Sequence, residues 1–287
     1  MPAASLWILV SGFLFTLMSM SAKICSDYFT VFELAFWRSL FGIICIALLM
    51  VHKGIPFPTK YPFSHLKRCA AGVGSFFLEI VALSYLPLSV EQPIIYLSPL
   101  IFCFFFVVSS RYAGKPIEWP IIGAVVLGFI GVLLIARPTS ASFNAIGIAL
   151  ALTAAFVGAC SNWFLRSLGQ QGEPGERAVF YFMLTGLVAG IVGMIFSPEP
   201  IHLPRAKWIF PLLGVMTTGL LGQILVTYAW AKGHSLLNAV FQFASIFFGV
   251  VVVIAAFGEN PDSTALFGVV VIFFAGLFSS LYLRKKR

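Results

Sequence analysis

The sequence predicts an all-α polytopic membrane protein of ten transmembrane helices, arranged as two inverted five-helix repeats. Composition, run length and an internal repeat carry that expectation. Of 287 residues, 60% are hydrophobic, 10% are charged and 31 are Phe. A soluble domain carries about 25% charged residues, so this much apolar side chain needs lipid as its solvent. Apolar runs of spanning length, about 20 residues, fall at 4–22, 31–51, 66–86, 88–108, 117–135, 144–166, 178–197, 208–230, 234–256 and 264–283. Segment 82–133, moved by 145 positions, lands on 227–278 without a gap, with ten identities in the 31 positions 101–131. An apolar composition gives roughly three or four such matches by chance. Pro116 falls on Pro261, Gly123 on Gly268 and Gly131 on Gly276. Internal symmetry of this kind in an apolar chain is a mark of secondary transporters.

The elements follow in order. The first run is succeeded by nine more, so it reads as a helix of the mature protein rather than a cleaved signal. The second ends at a loop holding Pro56, Pro58 and Pro62, which break helix. The fourth contains Pro93 and Pro99, which free the carbonyls of Ser89 and Ile95. Arg137, Pro138, Thr139 and Ser140 join repeat 1 (1–137) to repeat 2 (138–287). Turn-rich loops at 169–175 and 197–200 bound the seventh run. Pro99 has no counterpart in the ninth run, where Ala244 stands, so the two halves are expected to be mechanically unequal. Gly123, Gly128, Gly131, Gly268 and Gly276 suit close helix approach, and Gly186 with Gly190 is a weak dimer signal.

The net charge of +8 does not imply nucleic acid, because the basic residues sit in loops and at the C-terminus. With the N-terminus inside, cytoplasmic segments hold thirteen Lys and Arg, including Lys67 and Arg68, and outer loops hold four. Both termini are therefore expected in the cytoplasm, and five spans per repeat then invert the second repeat. The expected location is a bacterial inner membrane, as a monomer or homodimer. Cys25, Cys45, Cys69, Cys103 and Cys160 lack metal-ligand spacing, so no metal or cofactor is expected. No nucleophile elbow, zinc-protease or phosphate-loop motif occurs, which argues against an enzyme.

The run of Phe32, Glu33, Leu34, Ala35, Phe36, Trp37, Arg38 and Ser39 carries a resemblance. So do Ala82 to Tyr85, Ser98, Pro99 and Leu100, the stretch 123–131, and Gly258, Glu259 and Asn260 with 268–276. On these residues the chain resembles the EamA branch of the drug/metabolite transporter superfamily, as two units at about 1–137 and 144–283. The resemblance implies ten helices around a central cavity and movement of amino acids, other small metabolites or drugs.

Polar side chains within a bilayer are costly and face protein or a water-filled cavity. The fourth run carries Gln92, Tyr96, Pro99 and Cys103 at i, i+4, i+7, i+11. The ninth carries Asn238, Gln242, Ser245 and Gly249 at the same spacing, so each set lies on one helical face. With Ser98, Asn162, Gln223, Thr227 and Trp230 they form the expected substrate site. The alternative is that the amides and hydroxyls bond helices together. Glu79, Arg38 and Glu33 are the candidates for proton coupling or for a buried charge pair. Glu91 reads as a solvated surface acid. The expected function is secondary transport of small metabolites, amino acids or their derivatives first. Tyr96, Phe241 and Trp230 offer aromatic faces to a cation, as on an adenosyl-bearing amino acid. A membrane-embedded enzyme or a drug efflux pump is the alternative.

Overall fold

The computed structural model describes residues 2–86, 88–136, 144–249 and 263–285, and every regular element among them is helical. In order these are α1 (Pro2–Ser5), α2 (Trp7–Cys25), α3 (Val31–His52), α4 (Pro62–Leu83), α5 (Leu88–Ile95), α6 (Ser98–Tyr112), α7 (Trp119–Ala136) and α8 (Ala145–Gln170). They continue with α9 (Gly175–Phe196), α10 (Ala206–Lys232), α11 (Ser235–Gln242) and α12 (Ser263–Lys285). Seven segments are long and apolar enough to cross a membrane: Ala3–Cys25, Val31–His52, Pro93–Tyr112, Ala145–Gln170, Gly175–Phe196, Ala206–Lys232 and Ser263–Leu283. The other three expected spans miss that standard for separate reasons. Helix α4 has the length but carries His65, Lys67, Arg68 and Glu79. Its neighbour α7 is short, with its apolar part at Trp119–Ile135. The ninth, Ser235–Gly249, runs up to the edge of the described residues. The joining loop at Arg137–Ser140 lies outside them.

Local chemistry sets the helix ends. Thr30 and Glu33 form a capping box at the start of α3: the Glu33 amide donates to Thr30 Oγ1 and the Thr30 amide donates to the Glu33 carboxylate. Asn144 caps α8 by accepting from the amides of Ile146 and Gly147. Gly54 after α3 and Gly172 after α8 adopt φ of +65° and +77°, the left-handed conformation that closes a helix C-terminus and suits glycine.

The most extensive helix pairings are α4 with α8, α2 with α10, α7 with α12, and α3 with α9. Each joins a helix from before residue 137 to one from after it. Side-chain bonds fix the direction as antiparallel. Ser11 donates to the Gly222 carbonyl and Tyr28 to the Leu203 carbonyl, opposite ends of α10 meeting opposite ends of α2. Lys53 meets Glu176 at one end of the α3–α9 pair, and Glu33 meets His202 at the other.

Glycine permits two of these approaches. A Cβ on Gly131 would lie 2.8 Å from the Gly268 carbonyl oxygen, and one on Gly268 would lie 2.6 Å from that of Gly131. Gly128 makes room for the Phe243 ring. Gly123, by contrast, faces open space, and Gly276 has only ordinary contact with Phe241. The Gly186/Gly190 pair is used within the chain rather than left for a second copy. A Cβ on Gly190 would lie 2.9 Å from the Phe36 amide nitrogen of α3, and one on Gly186 would lie 2.7 Å from Ser39 Oγ.

Both proline-bearing and proline-free helices are interrupted. The fourth span breaks at Tyr96 and Leu97, where Pro99 supplies no donor to the Ile95 carbonyl and the Leu97 amide turns to the Ile94 carbonyl. The ninth breaks at Phe243, whose amide turns to the Val240 carbonyl, before helical turns resume over 244–249. The ninth run, where Ala244 stands, is thus interrupted without a proline, by an i→i+3 hydrogen bond.

The glycine contact gives a direct test. Gly131→Ala should destabilise the purified protein by about 1–3 kcal/mol, because the added methyl meets backbone that has no rotamer to yield. Gly123→Ala should leave the melting temperature unchanged, and equal melting of the two variants would refute this account of the α7–α12 contact.

Candidate functional site

A cavity of about 340 Å³ lies among α2, α4, α6, α8, α9 and α10. That size is within the usual range for small-molecule sites, roughly 300–1,000 Å³. Helix α4 contributes Arg68, Gly72, Ser75 and Glu79, at i, i+4, i+7 and i+11, one face of the helix. Opposite them α8 contributes Gly158, Ser161 and Asn162, and α10 contributes Gln223. Ser98 enters from the first turn of α6, directly after the break in the fourth span. Phe15 and Phe182 supply aromatic walls. Ser75 donates to the Ala154 carbonyl at 2.9 Å, which ties α4 to α8 beside the cavity.

Arg68 is the cation of this site. The sequence places it in a cytoplasmic loop next to Lys67; the structure places it inside α4 with only 6% of its surface exposed. Its Nη1 donates to Ser161 Oγ at 2.8 Å, and its guanidinium lies 4.5 Å from the centre of the Phe182 ring. The signal for it was available, since Arg68 extends the Ser75–Glu79 spacing by two more turns.

Among the expected substrate residues, Ser98, Asn162 and Gln223 face the cavity with Glu79. Gln223 Nε2 also donates to Thr227 Oγ1 at 3.4 Å, which sets Thr227 behind the wall. Trp230 is 1% exposed, its ring 4.6 Å from that of Phe102 in the core. Asn238 donates from Nδ2 to the Ala229 carbonyl at 2.7 Å, so this buried amide closes the C-terminus of α10. Tyr96 packs 6.2 Å from Phe243 and contacts the Ser245 side chain, which joins the two interrupted helices at their breaks. Gln242 is half-buried at the end of α11, and the Gln92 side chain lies outside the described residues.

The three charge candidates separate. Glu33 belongs to the α3 cap and accepts from the His202 amide, with His202 Nδ1 3.4 Å away. Arg38 packs beside Gly219 and Met18, and its Nε has no hydrogen-bond partner among the described residues. No ion pair joins Arg38 to Glu79 or Glu33 among those residues. Glu91 is fully buried rather than solvated.

A second polar cluster holds the opposite end of the α3–α9 pair. Glu173 Oε1 accepts from Thr59 Oγ1 at 2.8 Å, His65 Nε2 at 2.9 Å and Arg177 Nη1 at 2.9 Å. Arg177 Nε donates to the Pro56 carbonyl and Tyr181 to the Phe57 carbonyl. The cluster thus fastens the α3–α4 loop to the start of α9. Burial pushes the Glu173 carboxyl upward, but hydrogen bonds from His65, Thr59 and Arg177, with the charge of Arg177, outweigh it and hold the acid below its ordinary value.

Interrupted apolar helices that meet beside a polar cavity define a class, the multi-pass membrane transporters. Within it, residues 2–137 match the EamA-like transporter family. It is 24% identical to the pseudopaline exporter CntI of Pseudomonas aeruginosa over 92% of this chain and 90% of that one. It is also 24% identical to an S-adenosylmethionine uptake transporter of Rickettsia conorii, over 96% and 93% of the two chains, and to an uncharacterized transporter of Helicobacter pylori over 96% and 93%. A protein of known crystal structure superposes with a TM-score of 0.83 over 98% of this chain and 99% of its own, at 16% identity, so the two share a fold.

The Glu173 cluster predicts a pH dependence. A carboxyl held below its unfolded value contributes stability that is present above that value and is lost as pH falls through the lower folded one. The wild type should therefore lose thermal stability below about pH 4.5, the ordinary value. Glu173→Gln should flatten that acid limb and speed amide hydrogen exchange in the 53–61 loop. An unchanged acid limb in the variant would show that Glu173 does not hold the loop.

Proposed function

We propose that the protein is a secondary transporter of small polar or amphipathic metabolites, amino acids or their derivatives foremost, working by alternating access between two inverted repeats, 1–137 and 138–287. The observation that carries this reading is the contact between the two helix breaks, Tyr96 against Phe243, beside the cavity. Substrate sites of such transporters form where interrupted helices meet at the repeat interface. The pairing pattern supports the inversion. Exchanging the repeats turns the α2–α10 pair into α8–α4 and returns α3–α9 and α7–α12 to themselves. The relatives support the substrate range, since one exports pseudopaline and another takes up S-adenosylmethionine.

In this reading the thirteen-to-four division of Lys and Arg orients both termini to the cytoplasm, less Arg68, which the structure moves out of the loops. Ser98, Asn162 and Gln223 contact the solute, and Glu79 is the group through which protons couple to its movement.

Flux into proteoliposomes tests the reading, with labelled amino acids and S-adenosylmethionine as probes. Asn162→Leu and Gln223→Leu should each lower flux about tenfold while abundance and melting temperature hold, since one lost polar contact costs about 1–2 kcal/mol in membrane helices. Glu79→Gln should abolish proton-driven accumulation and keep exchange. Lys60→Cys should label only from the cytoplasm and Glu199→Cys only from outside. Absence of flux for every probe, or normal flux in both Leu variants, would overturn the proposal.

A further inference from the structure

The cavity holds two opposite charges that do not meet. Arg68 and Glu79 both line it, and neither has an ion-pair partner among the described residues. The Arg68 guanidinium reaches back over Gly72, where a Cβ would collide with Nη1. Gly72 and Glu79 are seven residues apart on one helix, so the two charged groups stand roughly 10 Å apart along it. An uncompensated charge among apolar helices is costly, and a solute that neutralises both ends gains from both.

The remaining geometry of Arg68 is selective. One guanidinium face is covered by Phe182, and Nη1 is committed to Ser161. Nε and Nη2 are left without a protein acceptor among the described residues, and together they form the planar edge that holds a carboxylate through two parallel hydrogen bonds. A free α-amino acid carries its two charges on one carbon and reaches only one end of the cavity.

We propose that Arg68 is a carboxylate subsite and that the cavity takes an elongated dipolar solute, its carboxylate on Arg68 and its cationic group toward Glu79. This rests on the transporter reading and narrows its substrate class to derivatives whose charges are far apart. Arg68 binds and orients; no covalent step is involved.

A set of four probes tests it by ligand-dependent thermal shift of the full-length protein in detergent. Three have eight carbons: 8-aminooctanoate, octanedioate and 1,8-diaminooctane. The fourth, 4-aminobutanoate, is too short to span the gap. The wild type should bind 8-aminooctanoate about tenfold more tightly than the other three. Arg68→Gln should remove that advantage and leave 1,8-diaminooctane the better of the two symmetric probes. Glu79→Gln should reverse that order. Arg68→Lys keeps the charge without the paired donors and should fall between wild type and Arg68→Gln, which keeps the test open if the Gln variant does not fold. Equal affinity of the wild type for all four probes would overturn the proposal, as would an unchanged preference in folded Arg68→Gln. Binding selectivity without flux would support the subsite and count against transport.

Discussion

A buried carboxylate at the start of a helix is the interaction on which the arrangement of this bundle depends, and it occurs at both ends of the α3–α9 pair. Glu33 caps α3 and holds His202 from the loop after α9. Glu173 stands just before α9 and holds Thr59 and His65 from the segment after α3. Each carboxylate is favoured by the helix N-terminus beside it, and each gives a largely exposed loop a fixed attachment to the bundle. The two ties are reciprocal: the start of the second long helix in each half binds the connection that follows its counterpart. Hydrophobic attraction does little to hold helices together in lipid, so these polar ends and the glycine contacts must set which helices are neighbours.

The interior is divided by the same logic. Helices α7 and α12 meet backbone to backbone at Gly131 and Gly268. Helices α4 and α8 are joined through Ser75 to the Ala154 carbonyl and through Arg68 to Ser161. The first contact is dry and closed, and the second borders the cavity. The breaks at Tyr96 and Phe243 fall between these regions, where the freed backbone groups are surrounded by protein rather than lipid.

Much of this was legible in the sequence, and the rest was hidden for physical reasons. Run length and the 145-residue repeat located the helices because a bilayer fixes both the length and the polarity of a span. Ser98, Asn162, Gln223 and Glu79 were legible as polar residues at intramembrane depth. Arg68 reads as a loop charge because it follows Lys67 and a proline-rich loop; only its spacing from Ser75 and Glu79 places it on their helical face. Asn238 shows the converse. Its stripe has cavity spacing, yet the amide is spent on the Ala229 carbonyl, where it joins the Gly233 amide as a second donor at the C-terminus of α10. Spacing shows which residues share a face; it does not show whether that face meets a void or a helix end.

What decides between void and contact is the neighbour of each glycine. At Gly131 the nearest atoms are Ile272 Cγ1 and the carbonyl oxygen of the facing Gly268, so two missing side chains let the helices close. At Gly72 the nearest atoms are Arg68 Nη1, the Phe182 ring edge and Ser161 Oγ, and at Gly158 they belong to Ser75 and Ser98. Those polar groups need hydrogen-bond partners, so here the absent Cβ makes room for polar side chains that border the cavity. Small residues therefore make a seam where they face their own kind, and seat the polar lining of a cavity where they face charge. The two halves of this chain use one residue type for both purposes.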